Sequence, residues 1–208
     1  MYNNQRIIKE LKPYIPVADI FRIYEKEAGC AFLDSSLVND LGRYSIIGRA
    51  PYLKLVKDGD TFTVNGKPET GKTFEDYMRE YLNTHEDKNE CPLPIVSGAI
   101  GYFSYDYGRE QMGVPTGEKD LVTIPEAVLT FYDCFIVEDC REKRTYLVSN
   151  GITGNAPELI RSMEKEIQEN VKFGKISVSE AEKKITDPVS HREKFKIQVH
   201  PNFEKEEY

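Results

Sequence analysis

The chain has 208 residues, 39% hydrophobic and 30% charged, the balance of a folded globular protein and not of a disordered one. A net charge of −7 and a pI near 5.2, with lysine and arginine scattered along the chain, argue against a nucleic-acid partner. No apolar run approaches the ~20 residues of a membrane span, and the polar opening MYNNQRIIKELK lacks a signal-peptide core, so a cytoplasmic protein with no membrane partner is expected.

Gln5–Ile15 alternates apolar and charged residues and reads as an opening strand. Pro16 starts a short amphipathic helix to about Ala28, with Ile20, Tyr24 and Phe21 inward and Gly29 as the stop. Cys30–Ser35 and Tyr44–Ile47 are predicted strands on either side of a polar turn. Tyr52–Lys57 and Thr61–Val64 follow, joined by Asp58-Gly59-Asp60, a strong hairpin signal. Asn65-Gly66 turns the chain again. Thr73 caps a helix to about Thr84, with Phe74, Tyr77, Met78, Tyr81 and Leu82 on one face.

Pro94–Phe103 is apolar, and its Gly98 and Gly101 suit close backbone packing in a core strand. Arg109–Pro125 reads as a long loop. Ala127–Val137 is apolar on both alternating faces, as in a strand covered on both sides. Arg144–Ser149 pairs with it through a charged turn, and Asn155–Val171 is a helix with Ala156, Leu159, Ile160, Met163 and Ile167 inward. After Gly174, Lys175–His191 is polar and reads as a linker, Phe195–Val199 as one more strand, and the stretch from Asn202 as the start of a helix. That start implies a longer natural chain. The order of elements predicts an α+β fold, mostly an antiparallel β-sheet or sandwich with flanking helices.

The four cysteines form no CxxC pair, and the three histidines show no zinc-site spacing. Buried free thiols are expected at Cys30 and Cys134. GxSxG, HExxH, Walker A and GxGxxG motifs are all missing. The notable polar cluster lies in Phe32–Gly48, FLDSSLVNDLGRYSIIG. If its two apolar runs pair, Asp34, Ser35, Arg43 and Tyr44 converge at one end of the sheet. A carboxylate and a hydroxyl can accept from a ligand ammonium. A guanidinium can hold a carboxylate or stack on a ring, and Tyr44 can wall an aromatic group. The alternative is structural: Asp34 and Ser35 as turn formers, and Arg43 closing the hairpin on Asp34.

FLDSS, LGRYSIIGRAP, GAIGYFSYDYGRE and IPEAVLTFYDCFIVED, in that order, resemble the N-terminal domain of component I of the chorismate-utilising family. Its members are anthranilate synthase and aminodeoxychorismate synthase. The resemblance implies a domain over 1–173, then a linker over 174–208 leading to a C-terminal chorismate-binding catalytic domain that is absent here. It also implies that the full-length enzyme aminates chorismate, with Mg2+ at the substrate and ammonia from a glutamine amidotransferase subunit (component II). Anthranilate synthase then eliminates pyruvate; aminodeoxychorismate synthase stops at the aminated ring. The family's catalytic and metal-binding carboxylates belong to the C-terminal domain. No catalytic residue, metal ligand or cofactor is therefore expected in this chain, which should be inert alone.

The family's N-terminal domain carries an aromatic amino-acid pocket, with tryptophan as feedback inhibitor or structural ligand. Its usual Leu-Leu-Glu-Ser motif reads Phe32-Leu33-Asp34-Ser35 here, so Asp34 and Ser35 match the acid and the hydroxyl. The shorter acid, together with GRYS, favours the folate-pathway aminodeoxychorismate synthase over the tryptophan-pathway enzyme with feedback inhibition. Tyr102, Ser104, Tyr105 and Asp106 form a second motif, expected in a core strand, with Arg109 beyond it able to pair across a domain interface. A free-standing aromatic amino-acid-binding module and a scaffold domain are the competing roles.

Overall fold

The structure is a computed structural model that describes residues 6–39, 41–114 and 124–174. Among these residues, eight strands and four helices form an α+β fold around one curled sheet in which every pairing is antiparallel. The fold class is the one the periodicities predict.

Two long strands organise the sheet. One, β3 (Tyr44–Asp58), pairs along its length with the other, β7 (Ala127–Asp139). On its far side β3 holds the short β2 (Ala31–Leu33) with its first half, and β4 (Thr61–Val64) with its second. Likewise β7 holds β6 (Ala99–Phe103) with its first half and β8 (Arg144–Ser149) with its second. The edges are β1 (Ile7–Leu11) on β8, and β5 (Lys67–Pro68) on β4. The opening strand is thus shorter than the alternation of residues 5–15 suggests.

The predicted strands Tyr44–Ile47 and Tyr52–Lys57 are one element. Ala50, at φ 53°, and Pro51 form a bulge where the register against β7 shifts between Pro51 and Leu53. A proline has no N–H to give to a ladder and is tolerated at such irregularities. The bulge increases the local bend, and β3 changes partner from β2 to β4 around it.

Three apolar clusters fill the fold. Helices α1 (Val17–Tyr24) and α4 (Ala156–Lys172) cover one face through Val17, Ile20, Tyr24, Ile160, Met163 and Ile167, against Ile47, Ile136 and Leu147. Helix α2 (Phe74–Thr84) covers the β3–β7 end through Phe74, Tyr77, Met78 and Tyr81, over Leu53, Leu55 and Phe131. Phe135, Val137 and Val148 face a third cluster with Leu93 and Val96. So β7 is covered on both faces, as apolar residues on both of its alternating faces require. Tyr132 departs from strict alternation and joins Phe135 in the third cluster, opposite the β3 bulge.

The caps follow the sequence. Thr73 and Asn155 accept from the N–H of Asp76 and Glu158, at the first turns of α2 and α4. Helix α1 has no cap of its own; Val17 N–H donates to Glu138 Oε2 of β7 at 2.7 Å. Arg49 ties α1, β3 and α4 together: its guanidinium lies 3.5 Å over the Tyr24 ring and pairs with Glu27 and Glu166. Helix α1 ends at Tyr24, and the chain reaches Gly29 (φ 78°) through a turn.

Two expectations fail. Tyr105–Gln111 is a helix, α3, where a core strand and then a loop were predicted. Ser104 Oγ accepts from Tyr107 N–H at 3.1 Å and starts it, and the Tyr107 ring packs against Phe74 and Phe103. The motif around it is also not core, since Tyr102 is 40% and Tyr105 83% exposed. The linker Lys175–His191, the strand Phe195–Val199 and the helix start at Asn202 lie outside the described residues.

All four cysteines are free. Cys134 is buried and its thiol is pushed up to about 11 by burial; Cys30 is only partly buried, and burial pushes it to about 11 as well.

Candidate functional site

The β2–β3 hairpin brings the four predicted residues to one end of the sheet, as the sequence pattern requires. The ladder Ala31↔Gly48, Phe32↔Ile47 and Leu33↔Ile46 delivers Asp34 and Ser35 opposite Tyr44 and Ser45. The loop closes on Asn39, whose Oδ1 accepts from Leu41 N–H at 2.9 Å and Gly42 N–H at 2.8 Å. Gly42 is required there: a Cβ on it would lie 2.4 Å from the Leu37 carbonyl oxygen.

Ser45, which follows Tyr44 at the start of β3, is the hub. It is buried, and its Oγ donates to Asp34 Oδ1 at 3.1 Å while accepting from Ser35 N–H at 2.9 Å. Ser35 Oγ donates to the Tyr44 carbonyl at 2.7 Å. Asp34 itself is exposed, and its Oδ2 has no hydrogen-bond partner among the described residues. Arg43 does not pair with Asp34. Its Nε and Nη2 donate to Asp139 Oδ2 at 3.0 and 2.5 Å, and its guanidinium carbon lies 5.0 Å from the Tyr44 ring centre. The Asp34–Arg43 closure considered from sequence is thereby replaced by a pair with the end of β7.

Burial alone would raise the Asp139 carboxyl. The hydrogen bonds and charge of Arg43, with the N–H groups of Glu142 and Arg141, outweigh it and hold the group below its ordinary range. Folding therefore favours the ionised form. Its stabilisation is complete above the unfolded value near ~4 and is lost as pH falls through the depressed folded value. Asp139→Asn is expected to lower the urea midpoint at neutral pH and to converge with the unsubstituted chain in acid. Parallel midpoint curves from about pH 6 to about pH 2 would refute this.

A second concavity, of about 840 Å³, lies elsewhere, between α2 and the β3–β7 sheet. Tyr52, Tyr77, Tyr81 and Phe131 wall it, and Arg6, Asp87, Ser97 and Asn150 reach it from three separate segments. Arg6 Nε donates to Asn150 Oδ1 at 2.8 Å and its Nη2 pairs with Asp87 Oδ2, which also accepts from Ser97 Oγ at 2.6 Å. Burial would raise the Asp87 carboxyl, but Ser97 and Arg6 hold it below its usual range. No sequence signal joins these residues: Arg6 and Asn150 are 144 positions apart.

Among the described residues no group of three or more His, Cys, Asp and Glu side chains could hold a metal ion, so they offer no donor set for the Mg2+ implied for the full-length enzyme. No helix among them is long and apolar enough to cross a membrane.

The described residues form an antiparallel α+β domain with a polar hairpin at one end of its sheet. No family model matches the chain. It is similar to anthranilate synthase alpha subunit 2, chloroplastic, of Arabidopsis thaliana, at 31% identity over 122 residues, 53% of this chain and 20% of that one. It is similar to anthranilate synthase component 1 of Acetivibrio thermocellus at 26% over 149 residues, 65% of this chain and 29% of that one. The Lactococcus lactis protein of the same name matches at 27% over 155 residues, 72% of this chain and 32% of that one. The crystal structure of anthranilate synthase component I from Streptococcus pneumoniae TIGR4 superposes with a TM-score of 0.52 at 19% identity, over 64% of this chain and 30% of that one, a likeness of fold.

The chain is thus similar to anthranilate synthase component I, the likeness that its four motifs carry. It spans only 20% to 32% of the length of these curated relatives. All of them carry the name anthranilate synthase, so the preference for aminodeoxychorismate synthase drawn from Asp34 gains no support, and the tryptophan-pathway alternative is the better supported.

Proposed function

We propose that this chain is the N-terminal, non-catalytic domain of an anthranilate synthase component I in tryptophan biosynthesis. The observation that carries the reading is the match to relatives of that name over 53% to 72% of the chain. In this reading the domain packs on a C-terminal catalytic domain that binds chorismate and Mg2+. A glutamine amidotransferase subunit supplies ammonia to the cytoplasmic enzyme.

The hairpin is the effector site. Tryptophan's ammonium meets the unpaired Asp34 Oδ2 beside Ser35, and its carboxylate meets Arg43, whose guanidinium Asp139 holds in place. Tyr44 supplies the aromatic wall. One residue favours a second reading, aminodeoxychorismate synthase: Asp34 is one methylene shorter than the usual glutamate and reaches less far towards an ammonium.

The test is reconstitution. Given chorismate, Mg2+ and ammonium, the chain alone is expected to form no product. Co-expressed with the catalytic segment of a related component I, it is expected to support formation of anthranilate, read by fluorescence. Tryptophan should inhibit that activity, and Asp34→Ala or Arg43→Ala should relieve the inhibition. Turnover by the chain alone would overturn the non-catalytic role, and aminodeoxychorismate as the product would move the assignment to the folate branch.

A further inference from the structure

The cleft between α2 and the β3–β7 sheet lies apart from the hairpin and has no part in the function proposed above. Its walls are aromatic. The Tyr81 ring stacks on His85 at 4.1 Å and meets Phe131 edge-on at 4.8 Å, and its hydroxyl donates to Tyr52 Oη at 3.1 Å. Tyr77 extends the same wall. Stacking and edge contacts of this kind suit a flat ring.

The polar end is an ion pair that is incompletely used. Arg6 spends Nε on Asn150 and Nη2 on Asp87, which leaves Nη1 without a hydrogen-bond partner among the described residues. Asp87 accepts from both Arg6 and Ser97 on Oδ2, which leaves Oδ1 without one. The free N–H groups of Nη1 on the cation and the free oxygen of the anion therefore belong to one ion pair. Both side chains are held in place, Arg6 by the buried Asn150 and Asp87 by Ser97. A ligand with only a carboxylate leaves the Asp87 oxygen facing its negative charge. A ligand with only an ammonium does the same to Arg6. A zwitterion satisfies both, and charge-assisted hydrogen bonds are the strong ones.

We propose that this cleft binds a free α-amino acid with an aromatic side chain, its carboxylate on Arg6, its ammonium on Asp87 and its ring against Tyr81 and Tyr77. The volume of about 840 Å³ lies within the range of small-molecule sites and admits any of the aromatic amino acids. This site is separate from the hairpin and stands whether or not tryptophan binds there.

The test is calorimetric titration of the full chain with three probes that share a ring and differ in charge: L-phenylalanine, 3-phenylpropionate and 2-phenylethylamine. L-phenylalanine is expected to bind, and each analogue lacking one charge to bind about tenfold or more weakly. Arg6→Gln and Asp87→Asn should each weaken L-phenylalanine by a similar factor, whereas Lys165→Gln, on the exposed face of α4, should leave its affinity unchanged. Ile152→Trp, on the partly exposed lip of the cleft, fills the space with no change of charge and should abolish binding with the far-ultraviolet circular dichroism intact. The proposal is overturned if L-phenylalanine fails to bind, if the three probes bind alike, or if binding survives Ile152→Trp. Binding lost in Asp34→Ala and kept in Arg6→Gln would also overturn it, while leaving the hairpin reading intact.

Discussion

Gly101→Ala is expected to destabilise the chain by roughly 3 kcal/mol and to lower the melting temperature by about 6–12 °C. A Cβ at this position would lie 1.9 Å from the Val128 carbonyl oxygen, 2.8 Å from its carbon and 2.9 Å from Leu129 Cα. These are backbone atoms of β7, so no side-chain rotation relieves the overlap. Nor can β7 retreat, because Leu129 is paired with Leu55 of β3 on its other side. Strand β6 must therefore give way, losing its ladder from Ala99↔Phe131 to Phe103↔Ala127 and the Phe103 contact with Phe74.

Hydrogen exchange should show protection lost over residues 99–103 before the rest of the sheet. Gly108→Ala makes the contrast. Gly108 lies in α3, and a Cβ there meets nothing within 4 Å. That change should be neutral or slightly stabilising, since alanine is the better helix former by about 0.5–1 kcal/mol. Equal losses in the two variants would refute the steric account.

The second large effect is at Asp133, which is fully buried in β7. Its Oδ1 accepts from Asn150 N–H at 2.9 Å, and its Oδ2 accepts from Thr153 N–H and Thr153 Oγ1, each at 2.6 Å. It thereby fastens the turn between β8 and α4 to the central strand. Asn150, placed by this contact, sends Nδ2 to the Val96 carbonyl at 2.9 Å and accepts from Arg6.

Asp133→Ala strands the two Thr153 donors, whereas Asn150 N–H keeps the Asp133 carbonyl at 3.0 Å. A buried unpaired donor costs about 1–3 kcal/mol. The expected loss is about 3 kcal/mol in urea unfolding. Asp133→Asn keeps one acceptor oxygen and should recover part of it. Asn150 keeps its bonds to the Asp133 and Val96 carbonyls, so amino-acid binding in the α2 cleft should change little in the alanine variant. Full stability in Asp133→Ala would show that the turn does not depend on this contact.

Much of the architecture is legible in single segments. Helices α2 and α4 announce themselves by their caps, Thr73 and Asn155, followed by apolar residues at helical spacing. Strand β7 is recognisable because a run apolar on both faces has to be covered on both. The Asp58-Gly59-Asp60 turn joins β3 to β4 as predicted, and Gly101 proves to be a point of close backbone approach.

The failures share a cause. GYFSYDYGRE alternates aromatics like a strand, yet its second half is α3, because Tyr107 packs on Phe74, a residue far back in the sequence. Ala50-Pro51 looks like a break, yet the ladder with β7 carries β3 through it as a bulge. In both places a tertiary contact overrides a local preference.

The candidate sites divide in the same way. The hairpin is local, so FLDSS and GRYS were enough to bring Asp34, Ser35, Arg43 and Tyr44 together. Their partners were not legible, because Asp139 lies 96 residues beyond Arg43 and arrives only through the β3–β7 ladder. The charged end of the α2 cleft is not local: Arg6 meets Asp87 across 81 residues and Asn150 across 144. By itself, then, the sequence determined the α+β class, most elements, the likeness to component I and the position of the polar hairpin. These follow from periodicity, caps and motifs that lie within a few consecutive residues. Only the tertiary structure decided which charges pair and where a cavity opens, because both depend on residues that the curl of the sheet brings together from distant parts of the chain.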